Sequence, residues 1–229
     1  MIAGKSRVAF LGLVALLGAP TPARAELIVS DLVVELGADL QPRRDVEVWN
    51  NSNERSYVEI APVEVLDAGR PGERRVREPN PEKLGLLVSP NRMILEPHQR
   101  KLVRIASIAD RLDRERVYRI TIKPVVGEVS GDHSGLKVLV GYDVLALLRP
   151  ASPEPRISGT RDGRKLVVRN DGNASAELMN GRQCDSAGKC VDLPGKRLYA
   201  GASWTLELPG DGPAEYVMKG SGEPGPVRF

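Results

Sequence analysis

The chain has 229 residues, with 33 basic and 30 acidic side chains, two Cys, two His and 4% aromatic residues. Lys5, Arg7 and Arg24 precede the first acid, Glu26, and the remainder is balanced in charge, so no nucleic-acid partner and no anionic membrane surface is expected. Two Cys, with His98 and His133 far from them, make no metal-ligand set, and two Trp, five Tyr and two Phe are a thin supply of platforms for a carbohydrate-active enzyme.

Residues 1–25 read as a signal peptide. Lys5 and Arg7 form a basic start, Val8 to Leu17 a short apolar run, and Ala23-Arg24-Ala25 a small-x-small cleavage pattern, so the mature chain is expected to begin at Glu26. The apolar run is too short to span a bilayer and no later stretch is long enough. A periplasmic protein without stable membrane insertion follows as the expectation.

From Glu26 onward the pattern is short Val-, Ile- and Leu-rich runs separated by Gly, Pro, Asn and Asp. Strands are expected near 27–36, 44–50, 57–65, 91–95, 100–106, 116–124 and 136–148, the number needed for one immunoglobulin-like sandwich. Asp67 to Lys83 is charged and holds three prolines, which predicts an exposed excursion. Pro150-Ala151-Ser152-Pro153-Glu154-Pro155 prevents a central strand and predicts a stiff linker. Beyond it, shorter strands are expected near 165–170, 174–180, 197–200, 203–208, 215–218 and 227–229, with turns at Asp162-Gly163 and Asp171-Gly172. The expected fold class is all-β: two immunoglobulin-like β-sandwich domains, 26–149 and 156–229, set at an angle about the Pro-rich linker 150–155. In an exported chain Cys184 and Cys190 read as a local disulfide, contributing roughly 2 kcal/mol by the chain-entropy argument.

Several motifs carry little. Gly131-Asp132-His133-Ser134-Gly135 sets three triad residue types side by side, but real triads converge from separate segments, so a loop is the better reading. Glu59 with Glu64 and Asp110 with Asp113 fit solvated strand faces and turns, and Arg74-Arg75-Val76-Arg77 fits a solvated loop. Trp49 and Trp204 fit core packing. No residue is singled out as catalytic, no metal site is read, and no cofactor is implied.

One run stands apart. Leu136 to Leu148, ending in Arg149-Pro150, is longer than an ordinary strand. Leu136, Val138, Val140, Tyr142 and Val144 share one face; Lys137, Leu139, Gly141, Asp143 and Leu145 share the other. It fits either the closing strand of the first sandwich or an edge offered to another chain by β-augmentation.

Together with this run, other segments in order along the chain resemble the periplasmic pilus chaperones of the chaperone–usher pathway. Asp45-Val46-Glu47-Val48-Trp49-Asn50-Asn51 resembles that family's second strand, and Val88-Ser89-Pro90 with Leu95-Glu96-Pro97 its apolar-Ser-Pro and Leu-Glu-Pro segments. Arg114 to Pro124, with Tyr118, is similar to its sixth strand, and the run into Arg149-Pro150 to its seventh.

The resemblance implies a chaperone that lends its seventh strand to a pilin subunit lacking one, then yields the subunit to an outer-membrane usher. Leu136, Val138, Val140 and Tyr142 would form the client-binding face of that strand. Well-known members hold the client's terminal carboxylate between an Arg and a Lys; the matching positions here are Leu32 and Leu145, which places the chain in a non-classical branch. Arg119 and Lys123, alternating on one face of the neighbouring strand, are the candidate replacement anchors, with solvated outward residues as the plain alternative. A secreted β-sandwich structural or adhesive pilus subunit is the competing function. It would carry an N-terminal donor extension, whereas Glu26 runs directly into strand pattern.

Overall fold

The computed structural model describes residues 26–37, 41–109, 112–125 and 139–229. The first group of elements is β1 (Leu27–Val29), β2 (Val33–Leu36), β3 (Arg43–Asn50), β4 (Ser56–Leu66), β5 (Arg74–Val76), the single turn α1 (Pro81–Leu84), β6 (Leu86–Ser89), β7 (Arg92–Leu95), β8 (Arg100–Ser107), β9 (Arg116–Val125) and β10 (Tyr142–Leu148). The second is β11 (Ile157–Asp162), β12 (Lys165–Asn170), β13 (Ala176–Cys184), β14 (Cys190–Leu193), β15 (Lys196–Leu198), β16 (Ser203–Glu207), β17 (Ala214–Lys219) and β18 (Gly225–Arg228). The chain is all-β in two sandwiches, as expected from its pattern.

In the first sandwich a sheet ordered β1-β3-β8-β6 faces a six-stranded sheet ordered β2-β10-β9-β4-β5, with β7 also paired to β4. Period-two alternation builds the core between them. Val46 and Val48 turn inward from β3, Ile120 and Ile122 from β9, and Val144, Ala146 and Leu148 from β10. Two buried polar groups lock the packing. Tyr118 donates its hydroxyl hydrogen to Leu84 O at 2.8 Å, and the Asn50 amide donates to Glu54 O, Leu95 O and Glu96 O. Asn50 ends β3, and its buried side chain ties together three carbonyls of the corner, two of which, Glu54 O and Glu96 O, also accept from Ser52 Oγ and Gln99 N.

The second sandwich pairs β11-β12-β16 against β14-β13-β17-β18, with β15 on β13. Leu166, Val168, Leu178, Leu208 and Tyr216 fill it. Asp162-Gly163 lies at the hairpin between β11 and β12, and Gly163 has φ 57, a left-handed conformation open to glycine. Asn170 ends β12 as Asn50 ends β3, donating to Ala174 O and Leu198 O. Cys184 and Cys190 sit opposite each other on β13 and β14 and are disulfide-bonded.

Four expectations need correction. The run 27–36 is two strands, not one: β1 pairs with β3 in one sheet and β2 pairs parallel with β10 in the other. Ser30 ends the first pairing, because its hydroxyl accepts the Glu47 N–H at 3.0 Å. Asp67 to Lys83 is no simple excursion, since it contains β5 and α1, and Arg74 and Arg75 belong to a strand rather than a loop. Trp49 is not core: it stands on the outer sheet face beneath the Arg100 guanidinium, 4.5 Å from the ring centroid. Residues 86–89, 157–162 and 190–193 are strands that the pattern did not suggest. Residues 1–25 and the loop motif 131–135 lie outside the described residues, among which no helix is long and apolar enough to cross a membrane.

Candidate functional site: an open strand edge and its charged face

Among the described residues, β10 has two neighbours along only part of its length. Residues Tyr142–Leu148 pair antiparallel with β9, whereas β2 covers only Leu145–Leu148. Leu145 N donates to Leu32 O at 2.9 Å and Arg149 N to Leu36 O at 2.7 Å, so the β2 side of β10 is served from Leu145 onward. Asp143 has the same backbone orientation as Leu145, by strand alternation, and its N–H and C=O face the side that β2 has left. Among the described residues no strand pairs there.

The expected client-binding residues fall as follows. Leu136 and Val138 lie outside the described residues. Val140 is 52% exposed and lies ahead of β10, which begins at Tyr142, so the strand expected over 136–148 does not extend over the described residues 139–141. Tyr142 is half-buried against the first core and donates its hydroxyl hydrogen to Leu27 O at 2.8 Å. That bond ties β10 to β1 of the facing sheet.

The outer face carries the other expected residues. Leu145 is buried at 5% exposure and lies opposite Arg119, while Leu32 stands 56% exposed beside the open edge. Lys123 lies 3.6 Å from the Glu59 carboxylate, and Arg119 donates to Asp143 O at 3.4 Å. Asp143 is also reached from a distant strand: Arg75 of β5 donates to its Oδ2 at 2.8 Å. The second oxygen, Oδ1, is buried without a hydrogen-bond partner. Arg75 and Asp143 are 68 residues apart, and no spacing rule would have joined them.

The second sandwich closes over one end of this face. Tyr199 packs on Val65, Ala68, Val117, Leu145 and Leu147. Gly69, at φ 70, lies under the Tyr199 ring, where a Cβ would come within 3.1 Å of it. Burial pushes the Tyr199 hydroxyl above its ordinary pKa, and the Arg119 charge pulls it partly back. Beneath, Arg149 is almost wholly buried. It pairs with Glu35 at 3.1 Å, pairs closely with Glu115, and donates to Ser175 O of the second sandwich at 3.0 Å. Burial pushes the Glu115 carboxyl up, opposed by Arg149 and by the Ser175 bonds. Sequence reading missed this junction; its only signal was an Arg placed directly before Pro150.

His98 sits at φ 60 on the surface, its Nε2 3.0 Å from Asn53 Oδ1. Among the described residues no cluster of His, Cys, Asp or Glu could hold a metal ion.

No protein-family model and no curated protein matches the sequence. Solved structures do match in fold. The class 5 fimbriae chaperone CfaA is 21% identical, with a TM-score of 0.67 over 89% of this chain and 97% of that chain. A chain of the Salmonella enterica complex of SafA pilin with the SafB chaperone is 20% identical, with a TM-score of 0.62 over 91% of this chain and 98% of that one. A chain of the CsuC–CsuE chaperone–tip adhesion subunit pre-assembly complex, from archaic Csu pili of Acinetobacter baumannii, is 11% identical, with a TM-score of 0.61 over 89% and 98%. The chain therefore has the two-sandwich fold of the pilus-assembly chaperones over nearly its whole described length.

Proposed function

We propose that the protein is a periplasmic chaperone that binds pilin subunits by strand donation and delivers them to an outer-membrane usher. The observation that carries this reading is the edge of β10 upstream of Leu145 that no described strand covers. A strand whose second half is paired on both sides and whose first half is paired on one has backbone groups to share without unfolding. The fold likeness to SafB and CsuC supports it, since those chaperones occur in complexes with a pilin and a tip subunit.

The mechanism follows from what a subunit lacking a strand presents. Its groove exposes apolar side chains and unpaired backbone, a combination that drives aggregation. The client's strand pairs with the free side of β10 upstream of Leu145, and Val140, with Val138 and Leu136 before it, fills the groove. Each such side chain contributes about 1.5–3 kcal/mol on burial, before the cost of association. Tyr142, bonded to Leu27, marks where the donated part of the strand meets the part held in the chaperone's own core. Residues 26–149 form the client-binding unit and 156–229 its support, with no catalytic chemistry required of either. The signal peptide places the mature chain where pilins are exported, and the usher later exchanges the lent strand for that of a neighbouring subunit.

The test is co-secretion with the pilin subunits encoded in the same genome, scored as soluble complex. Val140→Asp puts an unpaired charge into the client's apolar groove and is expected to abolish capture while the chaperone stays folded by circular dichroism. A folded Val140→Asp protein that captures its subunit as the wild type does would overturn strand donation through this edge.

A further inference from the structure

The six-stranded sheet has another edge, beyond β4. β7 pairs with β4 on one side, Ile94 opposite Tyr57 and Arg92 opposite Glu59, and among the described residues no strand pairs on its other side. Ile60 N donates to Asn91 O at 2.8 Å, so by alternation Asn91, Met93 and Leu95 turn their backbone groups to β4, while Arg92 and Ile94 turn theirs outward. The outer face beside this edge is apolar. Val125, Tyr57 and Ile94 lie opposite one another on β9, β4 and β7, at 39%, 43% and 44% exposure, and the row runs out to the edge at Ile94. It borders a groove of about 570 Å³. Unpaired backbone next to exposed apolar side chains is the combination that attracts another strand. One side chain stands over it. Lys101 comes from β8 of the facing sheet, and its ammonium donates to Ile94 O at 2.8 Å.

We propose that Lys101 guards the β7 edge, and that the strand it excludes is the uncovered part of β10 in a second copy of this chain. The inference goes beyond the chaperone reading and does not use it; it needs only the two edges. A molecule with two different pairing edges can join its copies head to tail, and such contacts run on instead of closing. Edges elsewhere are blunted in ordinary ways. β5 is three residues long and carries Arg74 and Arg75, and β18 carries Pro226. No described strand covers β10 upstream of Leu145, so β7 is the edge left to close. A strand arriving at β7 has to strip Ile94 O of its ammonium and then bury that charge beside the apolar row, which opposes pairing. A lysine suits the task, because its compact ammonium holds water strongly and reaches the carbonyl on a flexible stem.

The experiment is sedimentation velocity over a concentration series, with the wild type as reference. Lys101→Met keeps the aliphatic stem and removes the ammonium. It is expected to raise the weight-average mass about twofold or more at concentrations where the wild type does not change, as a series of species without an end point. Lys101→Arg keeps a cationic donor and is expected to sediment as the wild type does. Ile94→Pro blocks the edge itself, and because the Ile94 N–H points away from β4 it removes no ladder bond. The double variant Lys101→Met, Ile94→Pro is therefore expected to return to the wild-type mass. Arg92→Pro, whose N–H also points outward, takes its place if circular dichroism shows that Ile94→Pro disturbs the fold. A folded Lys101→Met protein that sediments as the wild type, or a wild type that already forms the series, overturns the guard. A Lys101→Met dimer that grows no further means that β7 pairs with itself, and it overturns β10 as the excluded partner. Capture of a pilin subunit is not read in this experiment, so its failure leaves strand donation standing.

Discussion

The two halves of β10 share a strand but not a situation. From Leu145 to Leu148 it is sandwiched between β9 and β2, with Leu148 in the main core and Leu145 and Leu147 under Tyr199 of the second sandwich. From Tyr142 to Val144 only β9 pairs with it among the described residues, and Val140, just ahead of the strand, stands half in solvent. The difference lies in how many partners each residue has, not in the kind of residue. A strand can be anchored firmly at one end and left available at the other, provided that the anchor needs nothing from the available part.

The two halves of β10 should differ most in hydrogen exchange. The Leu145 amide, bonded to Leu32 O, is expected to exchange on the order of a thousandfold more slowly than the Asp143 amide, which faces the open side. Equal protection at the two positions in the client-free protein would show that the edge is covered. Next comes Arg149→Ala, which leaves Glu115 buried without its cation and is expected to cost about 3 to 5 kcal/mol in chemical denaturation. Leu147→Ala opens a cavity between the sandwiches and is expected to cost about 2 to 4 kcal/mol, while Val140→Ala at the exposed end changes the urea midpoint little. The smallest effect is remote. Replacing both Cys184 and Cys190 with Ser should cost roughly 2 kcal/mol and leave capture of a pilin subunit unchanged, because the bridge braces one hairpin of the second sandwich. Lost capture there would mean that the second sandwich takes part in holding the client.

What the sequence made legible was local. Strand alternation on β3, β9 and β10 could be read directly, because Val46 and Val48, or Ile120 and Ile122, point one way whatever lies opposite. The two Asn corner locks were half legible: Asn50 was seen as a strand ending, but its three carbonyl partners come from other segments. Partner choice was not legible. Residues 27–36 read as one strand, and only the pairing of Leu27–Val29 with β3 and of Val33–Leu36 with β10 shows that the chain changes sheets between them. Leu145 was placed on the face opposite the core and is buried all the same, because a loop of the second sandwich covers it. Arg75 was assigned to solvent because nothing in its neighbourhood names Asp143. β5, β11 and β14 escaped because short polar strands on edges carry little alternation to detect.

The change of sheets within the first ten residues after Glu26 has a consequence for the order of folding. A chain made from its N-terminus has β1 ready to pair with β3 as soon as the first hairpin exists, but β2 must wait for β10. The contacts that close the sandwich, Glu35 to Arg149 and Leu27 to Tyr142, span 114 and 115 residues. Contacts of such separation form late, since the loop between them must be closed first. The part-covered edge of β10 is therefore set in place by the last pairing of the first sandwich. A nascent chain has no complete β10 edge until the core between its two sheets is shut, so the edge forms together with the sandwich that supports it.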